Sequence, residues 1–501
     1  MLPSTLQPGF FPRLQTLCLL LHEGGAAAVI KDPADYLAIA SAAPWLTQLG
    51  LQFPGSATAL PQEMAALLSA CGKLEGLALH ASYGSLLVDI SALSAGAQLQ
   101  CLEIYDCGAV SDLAPLGALA NLQTLVIADC YAVSDLAPLS AMVKLQSLDI
   151  SCLGVSDLAP LSVMVKLQSL TIDQSVVSDM SPLAALANLQ SLIIEECDDV
   201  SVLAPLSALA NLQSLDLLRC TAVSNLALLA AMSKLKSLDV SNCYNVSDLA
   251  PLSALKKLQS LNISGCDGAS DVAFLCALVN LTSLIIGGDK EMDFDEGEPL
   301  GAVSDLAPLR PLMKMRRLDI SRSSSVTDLA PLRGMKSLQH FDMSECRCFA
   351  NLAPLRGLVN LKSLAMRSCS ELHMCYGSGG VSDITPLSTM VKLRSLEAPQ
   401  LHHQLDIRDC NNVSDLAPLS VMVNLRSLNM SYCSGVSDLA PLSAMVNLRS
   451  LNMSYCSGVS DLAPLSAMVS LRSLDISHCR RVSDVSPLTA LVACTVSRSV
   501  R

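Results

Sequence analysis

Val436 to Gly458 reads Val-Ser-Asp-Leu-Ala-Pro-Leu-Ser-Ala-Met-Val-Asn-Leu-Arg-Ser-Leu-Asn-Met-Ser-Tyr-Cys-Ser-Gly, and Val413 to Gly435 repeats it with Val421 in place of Ala444 as the only change. Outward in both directions, most of the chain is a variant of this unit. Self-similarity at a fixed period marks a solenoid, in which each unit buries its apolar face only against the units before and after it.

Two spacings meet inside the unit. Val436, Leu439, Leu442, Met445 and Leu448 recur every third residue, which lines them along one edge of a tight 3₁₀-like path. Pro441 suits its first turn because the missing N–H would be unpaired there anyway. Leu451 and Met453 then alternate with Ser450, Asn452 and Ser454, the mark of a short strand with one buried and one wet face. Ser437 and Asp438 precede the helical turn, where a short oxygen-bearing side chain accepts from backbone N–H groups.

The line through Leu448, Leu451, Met453 and Cys456, Leu-x-x-Leu-x-Leu-x-x-Cys, resembles a leucine-rich repeat with cysteine in the place usually given to asparagine. Val-Ser-Asp-Leu-Ala-Pro-Leu resembles the short convex segment of internalin-type repeats. The combination is also similar to protist leucine-rich-repeat proteins described as adenylate cyclase regulators. The resemblance implies an α/β solenoid, a leucine-rich-repeat horseshoe or arc with a concave parallel β-sheet and short 3₁₀ or helical convex segments.

Along the chain, residues 1–98 hold irregular units and an N-terminal cap, with Leu17 to Leu21 as a first strand and Gly24 to Ile30 and Pro61 to Ser69 as candidate fuller helices. Residues 99–286 are regular repeats, two of them shortened by one residue around Cys152 and Val176. An acidic insertion occupies 287–302. Regular repeats resume over 303–481 with insertions at 370–380 and 397–404, and 482–501 is a C-terminal half-repeat or cap. Because Leu405 to Val413 matches Leu474 to Val482 position for position, the strand there should begin at Leu405 and not at Leu396. Insertions at fixed repeat positions tend to emerge on one face, often the binding face.

A solenoid has no single core to outgrow, so 501 residues count units of an array. The formal charge of −13 argues against a grip on phosphate backbones, which needs clustered cations, and so against a nucleic-acid partner. Of 20 cysteines, Cys107, Cys130, Cys197, Cys220, Cys243, Cys266, Cys346, Cys369, Cys410, Cys433, Cys456 and Cys479 fall in one column of the repeat. A buried thiol there is a small apolar group with a weak donor for the turn. So many unpaired thiols suit a reducing compartment, and the first residues lack the basic region and apolar run of a signal peptide. No segment is long and apolar enough to span a bilayer. The expected location is cytoplasmic.

The residue between the two core positions of each strand should point to solvent on the concave face. That column includes Asp149, Asp216, Asp239, Asp319, Asp342 and Asp406. Stacked at roughly 4.8 Å per strand, Asp216 beside Asp239 and Asp319 beside Asp342 repel. The column is either a set of solvated positions copied by duplication or a docking stripe for a basic segment, flanked by Asp129, Glu195, Glu196, Glu345 and Asp409. Arg317, Arg322, Arg367 and Arg408 form a basic counterpoint on the same face, either solvated or a patch for an acid.

Cys369, His373, Cys375, His402, His403 and Cys410 gather near the later insertions, but their spacing matches no zinc site. No nucleophile elbow and no Gly-x-x-x-x-Gly-Lys phosphate loop is present. No metal, cofactor or catalytic residue is therefore expected. The reading is a non-enzymatic intracellular scaffold that binds a protein or peptide, with or without a basic segment, on the concave sheet and the inserted loops. A specific contact is expected between Leu281 and Cys410, because the near-identical units from Val413 to Gly458 are fresh copies. The alternatives are a signalling regulator like the cyclase-associated relatives, a ubiquitin-ligase substrate adaptor, and, disfavoured by the thiols, a secreted internalin-like adhesin.

Overall fold

The computed structural model describes residues 15–20, 45–53, 57–60, 62–81, 86–288, 303–323, 325–346, 351–369, 381–390, 392–393 and 405–498. The candidate helix Gly24 to Ile30, the insertions at 370–380 and 397–404, and all of 287–302 beyond Gly288, lie outside the described residues. The chain divides into two compact units, Met1–Asn245 and Val246–Arg501.

Unit 1 carries strands β1 (Thr16–Leu20), β2 (Gln48–Phe53), β3 (Gly76–Ala81), β4 (Cys101–Tyr105), β5 (Thr124–Ala128), β6 (Ser147–Ser151), β7 (Ser169–Asp173), β8 (Ser191–Glu195), β9 (Ser214–Asp216) and β10 (Ser237–Asp239). Each pairs in parallel with the next. Helix α1 (Gln62–Ala70) fills the long interval before β3. Unit 2 repeats the pattern with β11 (Ser260–Asn262), β12 (Ser283–Ile285), β13 (Arg317–Asp319), β14 (His340–Asp342), β15 (Ser363–Ala365), β16 (Leu405–Asp406), β17 (Ser427–Asn429), β18 (Ser450–Asn452), β19 (Ser473–Asp475) and β20 (Thr495–Ser497), again parallel throughout.

The register shows what the insertions leave untouched. Leu284 pairs with Leu318 across the acidic insertion, and Leu364 pairs with Leu405 across the two later ones. The flanking strands keep register because a one-residue slip would turn every buried leucine to the wet face. β16 starts at Leu405, as the match to Leu474 requires.

In the regular coils the return segment is a 3₁₀ turn, as at Ala440–Ala444. Leu442 N–H donates to the Leu439 carbonyl (2.9 Å), Met445 to Leu442 (2.9 Å) and Leu448 to Met445 (3.0 Å), so the every-third leucines are also the hydrogen-bonding period. All four side chains are buried. Asp438 Oδ1 accepts from Ala440 N–H at 2.8 Å, and Asp112, Asp135, Asp157 and Asp461 do the same in their coils. The aspartate therefore caps the turn, and the serine before it does not share that bond.

The cysteine column donates sideways. Cys433 Sγ lies 3.1 Å from the Ile407 carbonyl, Cys456 Sγ 3.0 Å from Met430, and Cys243 Sγ 3.1 Å from Leu217. Each thiol thus bonds the core residue of the preceding coil and ties neighbouring units together. Burial pushes the Cys152, Cys410 and Cys456 thiols up to about 12, so they remain protonated donors.

Candidate protein-binding face

Strand alternation puts three columns on the outer face of each sheet. In β6 they are Ser147, Asp149 and Ser151, between the buried Leu148 and Ile150. The residue before the cysteine position of the column then takes a left-handed backbone, as at Asp129 (φ 56), Glu196 (φ 52), Arg219 (φ 57), Glu345 (φ 63) and Asp409 (φ 56), and at Arg322 (φ 62), where Ser323 stands in place of the cysteine. This turns the chain out of the strand and throws that side chain to the rim of the face.

In unit 1 the stripe is a neighbourhood of carboxylates. Asp216 and Asp239 are direct cross-strand partners, and Asp173 and Glu195 are partners one column over. Burial and then the Asp239 charge push Asp216 up to about 7, with Glu195 adding to the effect against the Leu218 N–H bond. Asp149, Asp173 and Glu195 are raised as well, each chiefly by burial. Like charge adds to this: Asp173 acts on Asp149, Glu196 on Asp173, and Asp173 with Asp239 on Glu195. Asp239 Oδ1 accepts from Ser241 N–H at 2.8 Å. At the rim, Arg219 bonds Glu196 at 2.6 Å.

In unit 2 the same columns are interleaved with cations. Arg367 Nε lies 3.6 Å from Asp406 and its terminal nitrogen 4.0 Å from Asp342. Arg408 reaches Asp406 at 3.1 Å, and Arg322 reaches Glu345 at 3.1 Å. Arg317 opens β13 as an exposed side chain. Two expectations are corrected here. Asp319 and Asp406 are not solvated, being 2% and 3% exposed. Asp319 Oδ1 folds back to accept from Ser321 N–H (3.0 Å) and Oγ (2.6 Å). Asp406 is covered by Arg367 and Arg408. Nor are Arg322, Arg367 and Arg408 a patch awaiting an acid, because acids of this sheet already hold them.

The alternation rule found the stripe but missed other features of the two faces. Tyr432, Tyr455 and His478 stack at centroid distances of 4.3 and 4.2 Å, successive occupants of the left-handed column. Asn211 donates to the Ala187 carbonyl and Asn447 to Val423, a second ladder on the return side. Both were available as residues recurring at the repeat period. Of the weighed metal cluster, His373, Cys375, His402 and His403 lie outside the described residues, while Cys369 and Cys410 bond Met343 and Met366 in the ladder.

A family model for the leucine-rich repeats of proteins like the plant disease resistance protein RPS2 matches residues 88–224, and one for two leucine-rich repeats matches 446–490. The structure of a TLR13–ssRNA13 complex is similar at TM-score 0.55 and 17% identity, over 87% of this chain and 62% of that one. The functional domain of InlJ from Listeria monocytogenes, which includes a cysteine ladder, gives 0.51 and 18% over 75% and 72%. The leucine-rich-repeat ectodomain of the membrane receptor kinase GASSHO1/SCHENGEN3 from Arabidopsis thaliana, in complex with Casparian strip integrity factor 2, gives 0.50 and 14% over 97% and 70%. No curated protein matches the sequence. At these identities the likeness is one of fold. The chain is a leucine-rich-repeat protein. Its regular coils carry cysteine in the ladder position and a 3₁₀ return.

Proposed function

We propose that the chain is a non-enzymatic, cytoplasmic protein-interaction scaffold whose unit 1 sheet face binds a basic segment of a protein or peptide. The observation that carries this is a cluster of carboxylates on one open face, with Asp216 opposite Asp239 and Asp173 opposite Glu195 across the ladder, where burial first and neighbouring like charge second raise the proton affinity of Asp149, Asp173, Glu195 and Asp216. Carboxylates held close at a cost to their own ionisation are relieved by an incoming cation, so part of a ligand's Coulomb energy is stored in the free protein. The cytoplasmic placement rests on the thiol column, whose bonding role is lost if the sulfurs oxidise.

Binding of a fluorescein-labelled lysine-rich peptide tests the reading. Asp149→Asn, Asp216→Asn and Asp239→Asn together should weaken it about tenfold or more, and added salt should weaken the wild-type complex steeply. Equal affinity of the triple variant would refute the reading, and tight binding of single-stranded RNA would refute the preference for protein. Capture with wild-type and triple-variant protein then sorts the roles: a cyclase or a ligase retained only by the wild type identifies a signalling regulator or an adaptor.

A further inference from the structure

The rim of the unit 1 face changes character at the two shortened coils. Between Ile194 and Val200 the rim takes five residues, Glu195 to Asp199, with Glu196 left-handed. The coil of β6 runs from Ile150 to Val155 through Ser151, Cys152, Leu153 and Gly154 and lacks the left-handed residue. The coil of β7 keeps its left-handed residue, Gln174 (φ 51), but has Val176 alone where other coils have two residues after the cysteine position. Beside these two coils lies an open groove of about 670 Å³, lined by Leu153 and Val176 from the shortened coils, by Glu196, Asp198 and Asp199 from the next, and by Arg219 beyond them.

The groove combines two chemistries. Leu153 and Val176 are 49% and 50% exposed, and they follow exposed Tyr131 in consecutive coils at the position after the cysteine column. The next coil puts Asp198 and Asp199 there. Glu196 is already spanned by Gln174 at 3.2 Å and Arg219 at 2.6 Å, which makes it a fixed wall. Asp198 takes one bond from Thr221 at 2.6 Å. Aliphatic surface left half-open costs free energy until something covers it, and here what covers it meets negative charge one coil further on.

The geometry points to a specificity pocket: the groove takes an aliphatic side chain of a bound segment, while a lysine or arginine beside it in that segment reaches Asp198 and Asp199. This rests on the acidic-face reading and adds to it a requirement that charge alone does not impose. The occupant is a basic segment with an aliphatic anchor because Tyr131, Leu153 and Val176 give way to two aspartates within adjacent coils. An extended segment crossing the rim would meet apolar surface and then carboxylates within a few residues.

Two fluorescein-labelled lysine-rich peptides, alike except for a central leucine or serine, separate the claims. Wild-type protein should bind the leucine peptide about tenfold more tightly, the order expected for burying one leucine side chain. Leu153→Ser with Val176→Ser, both at exposed positions that leave the ladder intact, should erase that preference while still binding the serine peptide as the wild type does. Asp149→Asn with Asp216→Asn should weaken both peptides equally and keep the preference. Equal binding of the two peptides by the wild type, or a preference that survives Leu153→Ser with Val176→Ser, overturns the pocket and leaves the acidic face standing. If neither peptide binds the wild type, both readings fall.

Discussion

β9 and β10 in unit 1 and β14 and β16 in unit 2 put carboxylates at the same strand position and reach opposite electrostatics. Asp216 faces Asp239 across the ladder and is pushed up to about 7. Asp406 sits between Arg367 and Arg408. The difference lies one column over, where Leu218 and Ser241 in unit 1 correspond to Arg367 and Arg408 in unit 2. A repeat surface is thus specialised by what stands in the next column, where Arg408 follows Asp406 by two residues and Arg367 follows Ala365 by two on the neighbouring strand.

The largest expected effect comes from undoing the unit 2 arrangement. Arg367→Ala with Arg408→Ala leaves Asp406, whose side chain is only 5% exposed, a buried charge without its two cations. Losing the partners of a buried ion costs about 3 kcal/mol, to be seen as a lower urea midpoint. A loss near zero would show that Asp406 had relaxed to water and that the contrast between the units is only apparent.

A smaller effect runs through pH in unit 1. Asp216 binds its proton more tightly folded than unfolded, where its pKa returns towards 3.8. Its contribution is therefore fully present below about pH 4 and is lost as pH rises towards 7. Since the side chain keeps partial access to water, about 1 kcal/mol is a fair magnitude after discounting for solvent screening. Asp216→Asn should raise thermal stability by that amount at pH 8 and leave it unchanged at pH 4. Leu218→Arg carries the comparison further by giving unit 1 the cation that unit 2 has. It should remove the same pH dependence and weaken binding of a lysine-rich peptide.

The contrast was only partly legible in the sequence. Period three in Leu439, Leu442 and Met445 and alternation in Leu451 and Met453 are local, so they gave the coil and its wet face directly. Cross-coil pairing is not local. Arg367 meets Asp406 because Leu364 pairs with Leu405 although 40 residues separate them in sequence. The burial of Asp319 follows from a fold-back bond to Ser321 that alternation does not encode. The left-handed column is filled by Asp, Gln, Glu, Arg, Asn, Ser, Tyr, His and, once, Gly, so residue type gave no signal, and position before the cysteine was the only clue.

The smallest effect compares the units at the cysteine column, where each has one serine. Ser175 in unit 1 keeps a partner, Cys197 Sγ at 3.3 Å. Ser323 in unit 2 is fully buried and its Oγ makes no hydrogen bond. Where the next coil has cysteine, Cys346 Sγ bonds the Ile320 carbonyl at 3.1 Å, and the Ile286 carbonyl is the equivalent acceptor for residue 323. Ser323→Cys should exchange an unpaired buried hydroxyl for a larger apolar atom with a donor in reach. A gain of about 1 kcal/mol is expected, against little change for Ser175→Cys. Equal responses of the two variants in thermal melts would mean that the ladder bond contributes nothing beyond packing, and the tie between neighbouring coils would then rest on the leucines alone.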